Sequence, residues 1–233
     1  MMETVLFYIF IIYSVLPNVY FRYISKKVWK KIPIEEKSIA FTFDDGPDPR
    51  YTPLLLDLLK KYNIKCTFFV LGEKAKANPD LIKRIADEGH TIGLHANKHI
   101  SSTFRSYRAT KKDFHDSLSV LKELGIRVKF YRPPWGLVNL TTNSFINKYE
   151  FEPVLWSIHA SDWSRHVDVE HIVTVLTKKV KPGDIVLLHD GRGSDEAPKR
   201  TIKALETALP ELIRQGYQFV IPHAVYDRPT QEM

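Results

Sequence analysis

Two hydrophobic patterns divide the chain. The first is one unbroken run, Thr4 to Phe21 (TVLFYIFIIYSVLPNVYF), 18 residues without a charge and apolar on every face. At about 1.5 Å rise per residue it is just long enough to cross a hydrocarbon core of roughly 30 Å. Pro17 and Asn18 weaken its last turn, a place where a membrane helix tolerates proline. No Lys or Arg precedes the run and no small-x-small cleavage site follows it, so the pattern predicts an uncleaved anchor over 1–23 rather than a removed signal peptide. Uniform hydrophobicity argues against a buried core helix, which keeps a polar side.

The second pattern begins at residue 38, where short β-rich runs alternate with helical periodicity. Strands are predicted at Ser38–Asp44, Lys65–Gly72, Thr91–His95, Lys129–Arg132, Pro153–His159, Asp184–His189 and Gln218–Pro222. Helices are predicted near 52–62, 78–88, 110–124, 140–149, 168–180 and 197–215. Thr52-Pro53 and Asn78-Pro79 read as N-caps followed by proline at the first helical position, and Gly125 and Gly216 as helix stops. The strands are continuously apolar (IAFTF, CTFFV, DIVLL), as in a parallel sheet covered on both faces. That leaves an open doubly wound sheet or a closed barrel, and no glycine-rich loop after the first strand marks a nucleotide-binding version of the former.

Charge changes the picture only at the N-terminus. The net charge is +7 over 233 residues, and residues 1–31 hold Arg22, Lys26, Lys27, Lys30 and Lys31 against Glu3 alone. The body therefore carries only +3, with no basic, aromatic-interleaved face for nucleic acid. Residues 24–35 read as a basic juxtamembrane linker, 36–226 as the catalytic domain and 227–233 as a tail. The lysine cluster just after the anchor favours a cytoplasmic body by the positive-inside rule, unless it lies against anionic headgroups on the outer face. Cys66 is the single cysteine, which excludes an internal disulfide framework and a thiolate-rich zinc site.

The ionisable residues fall at the ends of the predicted strands: Asp44 and Asp45, His95, Arg132, His159 with Asp162 after it, and His189-Asp190. In a parallel α/β barrel such ends converge on one face. His95 and His99, four residues apart, can share a metal, and a carboxylate from Asp44-Asp45 completes a two-His, one-carboxylate set with open positions. The second carboxylate is then placed as a base, Arg132 as its bidentate partner, and His189 as an acid for a leaving amine.

These residues carry a family resemblance. Thr42-Phe43-Asp44-Asp45-Gly46-Pro47, His95-Ala96-Asn97-Lys98-His99, Tyr131-Arg132-Pro133-Pro134-Trp135-Gly136, Trp156 to Trp163 (WSIHASDW) and Leu187-Leu188-His189-Asp190 resemble, in order, the five motifs of the polysaccharide deacetylases, carbohydrate esterase family four with its NodB-homology domain. The resemblance spans about 36–222. It implies an α/β fold, a distorted, incomplete (β/α)7-type barrel, here with an N-terminal membrane helix. It further implies Asp44 as general base, Asp45, His95 and His99 as ligands of one divalent ion (zinc or cobalt), Arg132 holding Asp44, and His189 as general acid. The Trp135 backbone N–H would help bind the oxyanion and Leu187 would face the acetyl methyl. The implied reaction is hydrolysis of an N-acetyl amide of a GlcNAc-type sugar in an envelope polysaccharide.

Two positions depart from the motifs. Ala96 stands where a Ser or Thr hydroxyl normally braces the loop, a loss of about 1 kcal/mol. His159 stands where an aspartate usually tunes the acid histidine; an imidazole there should lower the pKa of His189, with Asp162 available to compensate. These departures motivate an alternative, a catalytically impaired glycan-binding module, and the anchor motivates another, a deacetylase of a lipid-linked or small amide. His90, His115, His166, His171 and His223 read as surface or loop residues. The expected partners are an acetylated glycan and the membrane, with no nucleic acid and no protein partner, and an envelope substrate favours an extracellular catalytic domain on a single-pass cell-membrane anchor.

Overall fold

The protein is described by a computed structural model over residues 2–33, 37–194 and 196–222. The predicted tail 227–233 and His223 lie outside the described residues. A helix, α1, runs over Met2–Ile24. The body then follows as β1 (Ser38–Asp44), α2 (Thr52–Lys61), β2 (Thr67–Leu71), α3 (Gly72–Ala77), α4 (Pro79–Asp87), β3 (Thr91–Ala96), α5 (Tyr107–Glu123), β4 (Phe130–Tyr131), α6 (Leu140–Lys148), β5 (Glu152–Pro153), β6 (Ile158–His159), α7 (Val169–Thr174), β7 (Ile185–His189), α8 (Ala197–Arg214) and β8 (Gln218–Phe219).

Every strand pairing is parallel, in the order β5-β4-β3-β2-β1-β7-β6, with β8 pairing only the start of β1. The segment predicted as one strand, 153–159, is two: its start pairs β4 at one edge of the sheet and its end pairs β7 at the other. One stretch of chain thus joins both edges and curls the sheet into a distorted, incomplete barrel. Between its two short pieces the backbone bonds to Trp29 instead, with Trp29 N–H donating to Pro153 O and Leu155 N–H to Trp29 O.

That contact changes the reading of residues 24–35 as a linker. Val28 and Ile32 are buried, and Trp29 and Lys31 form backbone bridges to Val154 and Asp184. Apolar residues among the lysines make 28–32 part of the barrel wall.

The body is layered by strand alternation. Ile39, Phe41 and Phe43 of β1 and Val186 and Leu188 of β7 face the helices in one large core. Ala40, Phe69, Phe130, Val154 and Ile185 fill the barrel, with Ile32 closing it. Each fully buried Phe here contributes about 1.5–3 kcal/mol through lost apolar exposure. Along the inward side of β1 the residues become polar in steps, Ala40, Thr42, Asp44, so the barrel interior grades from packed core to chemistry at its C-terminal end.

His90, read as a surface or loop residue, lies in the turn before β3 but is buried there, its Nδ1 accepting the Cys66 N–H at 3.1 Å. Burial pushes its pKa down to about 4, so it is a neutral structural histidine.

Candidate active site

Asp44, the last residue of β1, is 3% exposed and accepts from Arg132 Nη1 at 2.7 Å. Arg132, directly after β4 and fully buried, directs its other donors to Thr42 Oγ1 (2.8 Å), Val154 O (3.1 Å) and Leu155 O (2.9 Å), and packs 4.1 Å over the Phe69 ring. The guanidinium is fixed from every side, and it fixes Asp44 in turn.

Asp45 follows at φ 72°, a left-handed conformation that costs energy for any residue with a Cβ. The turn sends the two adjacent carboxylates to different partners. Asp45 Oδ1 lies 3.4 Å from Nε2 of His95 and 3.4 Å from Nε2 of His99. Burial alone would raise the Asp45 carboxyl, but the surrounding imidazoles outweigh it and hold the group well below the usual carboxylate range.

His95 sits on a β-bulge: the register passes from Val70↔Leu94 to Leu71↔Ala96, leaving His95 as the extra residue. Its Nδ1 is 2.7 Å from Arg132 O, and since a carbonyl only accepts, Nδ1 carries the proton and Nε2 presents a lone pair. Burial pushes the His99 ring down to about 4, leaving it neutral. Its edge meets the Trp135 ring at 4.1 Å, and its Nδ1 meets the Arg192 guanidinium.

The donor set suits a divalent cation. The ligand atoms of Asp45, His95 and His99 lie within 4.8 Å of one another. Asp45 Oδ1 is buried without a hydrogen-bond partner 3.4 Å from His95 Nε2. Against its burial, Asp44 and Asp45 raise the His95 ring, so the site attracts positive charge, which a proton on Nε2 or a cation in its place would supply. Two imidazoles and one carboxylate leave coordination positions open. A cation at His99 Nε2 requires Arg192, which can only donate, to release Nδ1 so that the proton can reside there.

Across the cleft, His189 ends β7. Its Nδ1 is 3.0 Å from Asp162 Oδ1, while Asp162 Oδ2 accepts the His189 backbone N–H (2.9 Å) and the Thr201 hydroxyl (2.8 Å). Burial alone would lower the ring; the fully buried Asp162 reverses the sign and raises it to about 9. The lowering expected from an imidazole at 159 is outweighed by Asp162. His159 turns to Ser161 Oγ at 3.1 Å, and Trp163 stands 5.1 Å from the His159 ring and 5.2 Å from the His189 ring.

Asp44, Asp45, His95, His99, Trp135, Leu187 and His189 line one cleft of about 290 Å³, joined by Trp156, Trp163, Arg192 and Gly193. Arg132 lies behind Asp44, Asp162 behind His189, and His159 beside Trp163. Trp135 has a φ of 55° and is half-exposed; Leu187 is buried at the cleft wall.

Three supporting residues, Lys74, Asp113 and Arg192, escaped the sequence reading, and a fourth, Asp190, was read only as part of a strand-end motif. Lys74 Nζ donates to Asp45 O (2.8 Å) and Gly191 O (2.5 Å), tying the two loops together. Asp190 is buried against Gly46, accepts from Thr52 Oγ1 at 2.6 Å, and is raised to about 7 chiefly by burial. Asp113 accepts from the Asn97 N–H (3.0 Å) and from Arg105 (2.9 Å), bracing the loop where Ala96 lacks a hydroxyl. Arg192 reaches the cleft from the loop after β7. A signal for Asp113 did exist: an acid on the stripe Thr110, Asp113, Phe114, Ser117, Leu121 that α5 buries.

The polysaccharide deacetylase family model matches residues 31–154. The chain is 42% identical over 192 residues to a peptidoglycan-N-acetylglucosamine deacetylase of Bacillus cereus, covering 82% of this chain and 88% of the relative. It is 33% identical over 205 residues to a chitooligosaccharide deacetylase of Rhizobium leguminosarum bv. trifolii, covering 84% and 94%. The crystal structure of the Bc1960 peptidoglycan N-acetylglucosamine deacetylase superimposes with a TM-score of 0.80 at 31% identity, covering 88% of this chain and 95% of that one. With five motifs at the strand ends of one curled sheet and these relatives across most of its length, the chain belongs to the polysaccharide deacetylase family.

Proposed function

We propose that the protein hydrolyses the N-acetyl amide of GlcNAc-type sugars in a cell-envelope glycan, with Asp44 as base and His189 as acid. The observation that carries this reading is the division of labour at Asp44-Asp45. One carboxylate is held by Arg132, while its neighbour faces two histidines with an unsatisfied oxygen. Asp45, His95 and His99 would hold one divalent cation, zinc or cobalt, which supplies Lewis acidity at the cleft.

The remaining steps belong to the chain. Asp44 takes a proton from the attacking water, oriented for it by Arg132. The His189 imidazolium, sustained by Asp162, gives a proton to the departing nitrogen as the C–N bond breaks. The products are acetate and a free amine, and both residues then exchange protons with solvent to reset. The Trp135 backbone N–H is assigned to the oxyanion and Leu187 to the acetyl methyl. The relatives' substrates support an N-acetylglucosamine polymer and, because such a polymer lies outside the cell, a catalytic domain on the outer side; α1 supports a membrane location.

Acetate release from N-acetylated peptidoglycan and chitooligosaccharides, with zinc or cobalt and with chelator, tests the reading. Release that chelation abolishes and metal restores is expected; release undiminished after exhaustive chelation would overturn the metal-dependent mechanism.

A further inference from the structure

In the second half of α1, Ser14, Asn18 and Arg22 fall at four-residue spacing with Tyr13 beside Ser14, and these four face the body, whereas Tyr8, Tyr20 and Tyr23 are exposed. The Tyr13 hydroxyl donates to Arg105 O (2.6 Å) and lies 2.8 Å from Thr141 Oγ1; Ser14 Oγ donates to Thr103 O (2.5 Å). Asn18 pairs with the Val138 backbone in both directions, donating to its carbonyl (2.5 Å) and accepting its N–H (2.8 Å). Phe21 and Pro17 are buried beneath the same helix. Apart from Thr141 in the first turn of α6, the partners belong to two loops that leave the active site directly: Thr103 is four residues past His99, and Val138 three past Trp135.

Residues 2–9 of α1 are exposed on every face, including Phe7 (60%) and Ile9 (55%), and the docked part is exposed on the side away from the body, including Ile12 (58%) and Leu16 (54%) together with Tyr20 and Tyr23. The surface does not stop at the helix. Phe10 stacks on Phe104 of the rim loop with ring centroids 5.5 Å apart, and Phe104 itself is 83% exposed, with Leu140 (51%) beside the Thr141 contact. Lys26 and Lys27, both exposed, follow just past the C-terminal end of α1, the charge that anionic headgroups complement.

Length sets a constraint. Crossing roughly 30 Å of hydrocarbon takes essentially the whole uncharged run Thr4–Phe21, about 27 Å as helix. Residues 13–21 of that run are docked on the body. They cannot both fill a bilayer and bond the rim unless the rim is also at the lipid.

From this we infer that α1 is a fixed wall of the active-site rim rather than a tether, and that its apolar side and Phe104 together form one surface that seats the cleft mouth against a lipid bilayer. The inference rests on the membrane reading of α1 and is independent of the reaction. Asn18 is a positioning residue in it, acting through the Val138 backbone.

The test uses the full chain with a polarity-sensitive fluorophore on Phe104→Cys, and on Ile213→Cys of α8 as control. Cys66 is buried and stays unlabelled. On vesicles of phosphatidylglycerol and phosphatidylethanolamine, the label at 104 is expected to shift to the blue and brighten severalfold while the label at 213 does not change. Introducing Asn18→Leu should lower the response at 104 with vesicle binding retained. Vesicle binding with the label at 104 still in water, or a response at 104 indifferent to Asn18→Leu, overturns the inference and leaves the membrane reading standing. Failure to bind vesicles overturns both, and acetate release, assayed separately on soluble glycans, is untouched by either result.

Discussion

Replacing Asp162 by Asn removes one buried charge and almost no volume. The amide oxygen can keep the bonds from the His189 N–H and the Thr201 hydroxyl, but it cannot supply the charge that Oδ1 places 3.0 Å from His189 Nδ1. Burial, the largest influence on this ring, is then opposed only by the more distant Asp44 and Asp45, and the pKa falls from about 9 toward or below the ordinary 6.5. That is a change of about 2.5 units, or about 3 kcal/mol. At pH 7.5 the ring is about 97% protonated in the wild type and about 10% in the variant, so a reaction that needs His189 as acid slows about tenfold. The alkaline limb of kcat/KM should move to lower pH in the variant. Stability carries the same signature. A folded-state pKa above the unfolded one stabilises fully below pH 6.5, and the benefit disappears as pH rises through 9. The wild type should therefore exceed Asp162→Asn in urea-unfolding stability by about 3 kcal/mol more at pH 6 than at pH 10. Ring NMR titration of His189 and pH–rate profiles are the assays. An alkaline limb within half a unit of the wild type would refute the coupling.

Arg132→Met leaves Asp44 buried without its cation and should cost about 3–5 kcal/mol in urea unfolding; a loss under about 1 kcal/mol would show that the pair does not hold the site. Gly46→Ala drives a Cβ into the buried Asp190 carboxylate, so the Gly46 turn must shift. Its melting temperature should fall by several degrees and recover in part with Asp190→Ser. Zinc at about 100 times its Kd should stabilise the wild type by about 2.7 kcal/mol and His99→Ala by far less, read from thermal melts.

The order of strands and the site's motifs were legible because each strand carries its own local signal. β1 occupies Ser38–Asp44 as read, and its alternation already places Asp44 on the inward side. What escaped the sequence depends on contacts between distant segments. Nothing local shows that 153–159 breaks where Trp29 inserts, or that apolar residues among lysines pack at 28–32 as wall. The short α3 was missed because six residues starting at a glycine give too few turns for a period to show. Asp162 was read as available to compensate for His159, but nothing local showed that it would: it lies three residues past His159, and the turn at Ser161 (φ 52°) brings it behind His189. The stripe Tyr13, Ser14, Asn18 was visible as residues, but with membrane as the assumed surroundings its partners on the rim were not.

The central claim is that two adjacent carboxylates do different work. Metal content and acetate release measured side by side on Asp44→Asn and Asp45→Asn test it most directly. The account requires Asp45→Asn to lose both metal and turnover, and Asp44→Asn to keep stoichiometric metal while losing turnover by at least a hundredfold, the scale of a positioned general base. Turnover surviving in Asp44→Asn, or metal retained undiminished in Asp45→Asn, would contradict it.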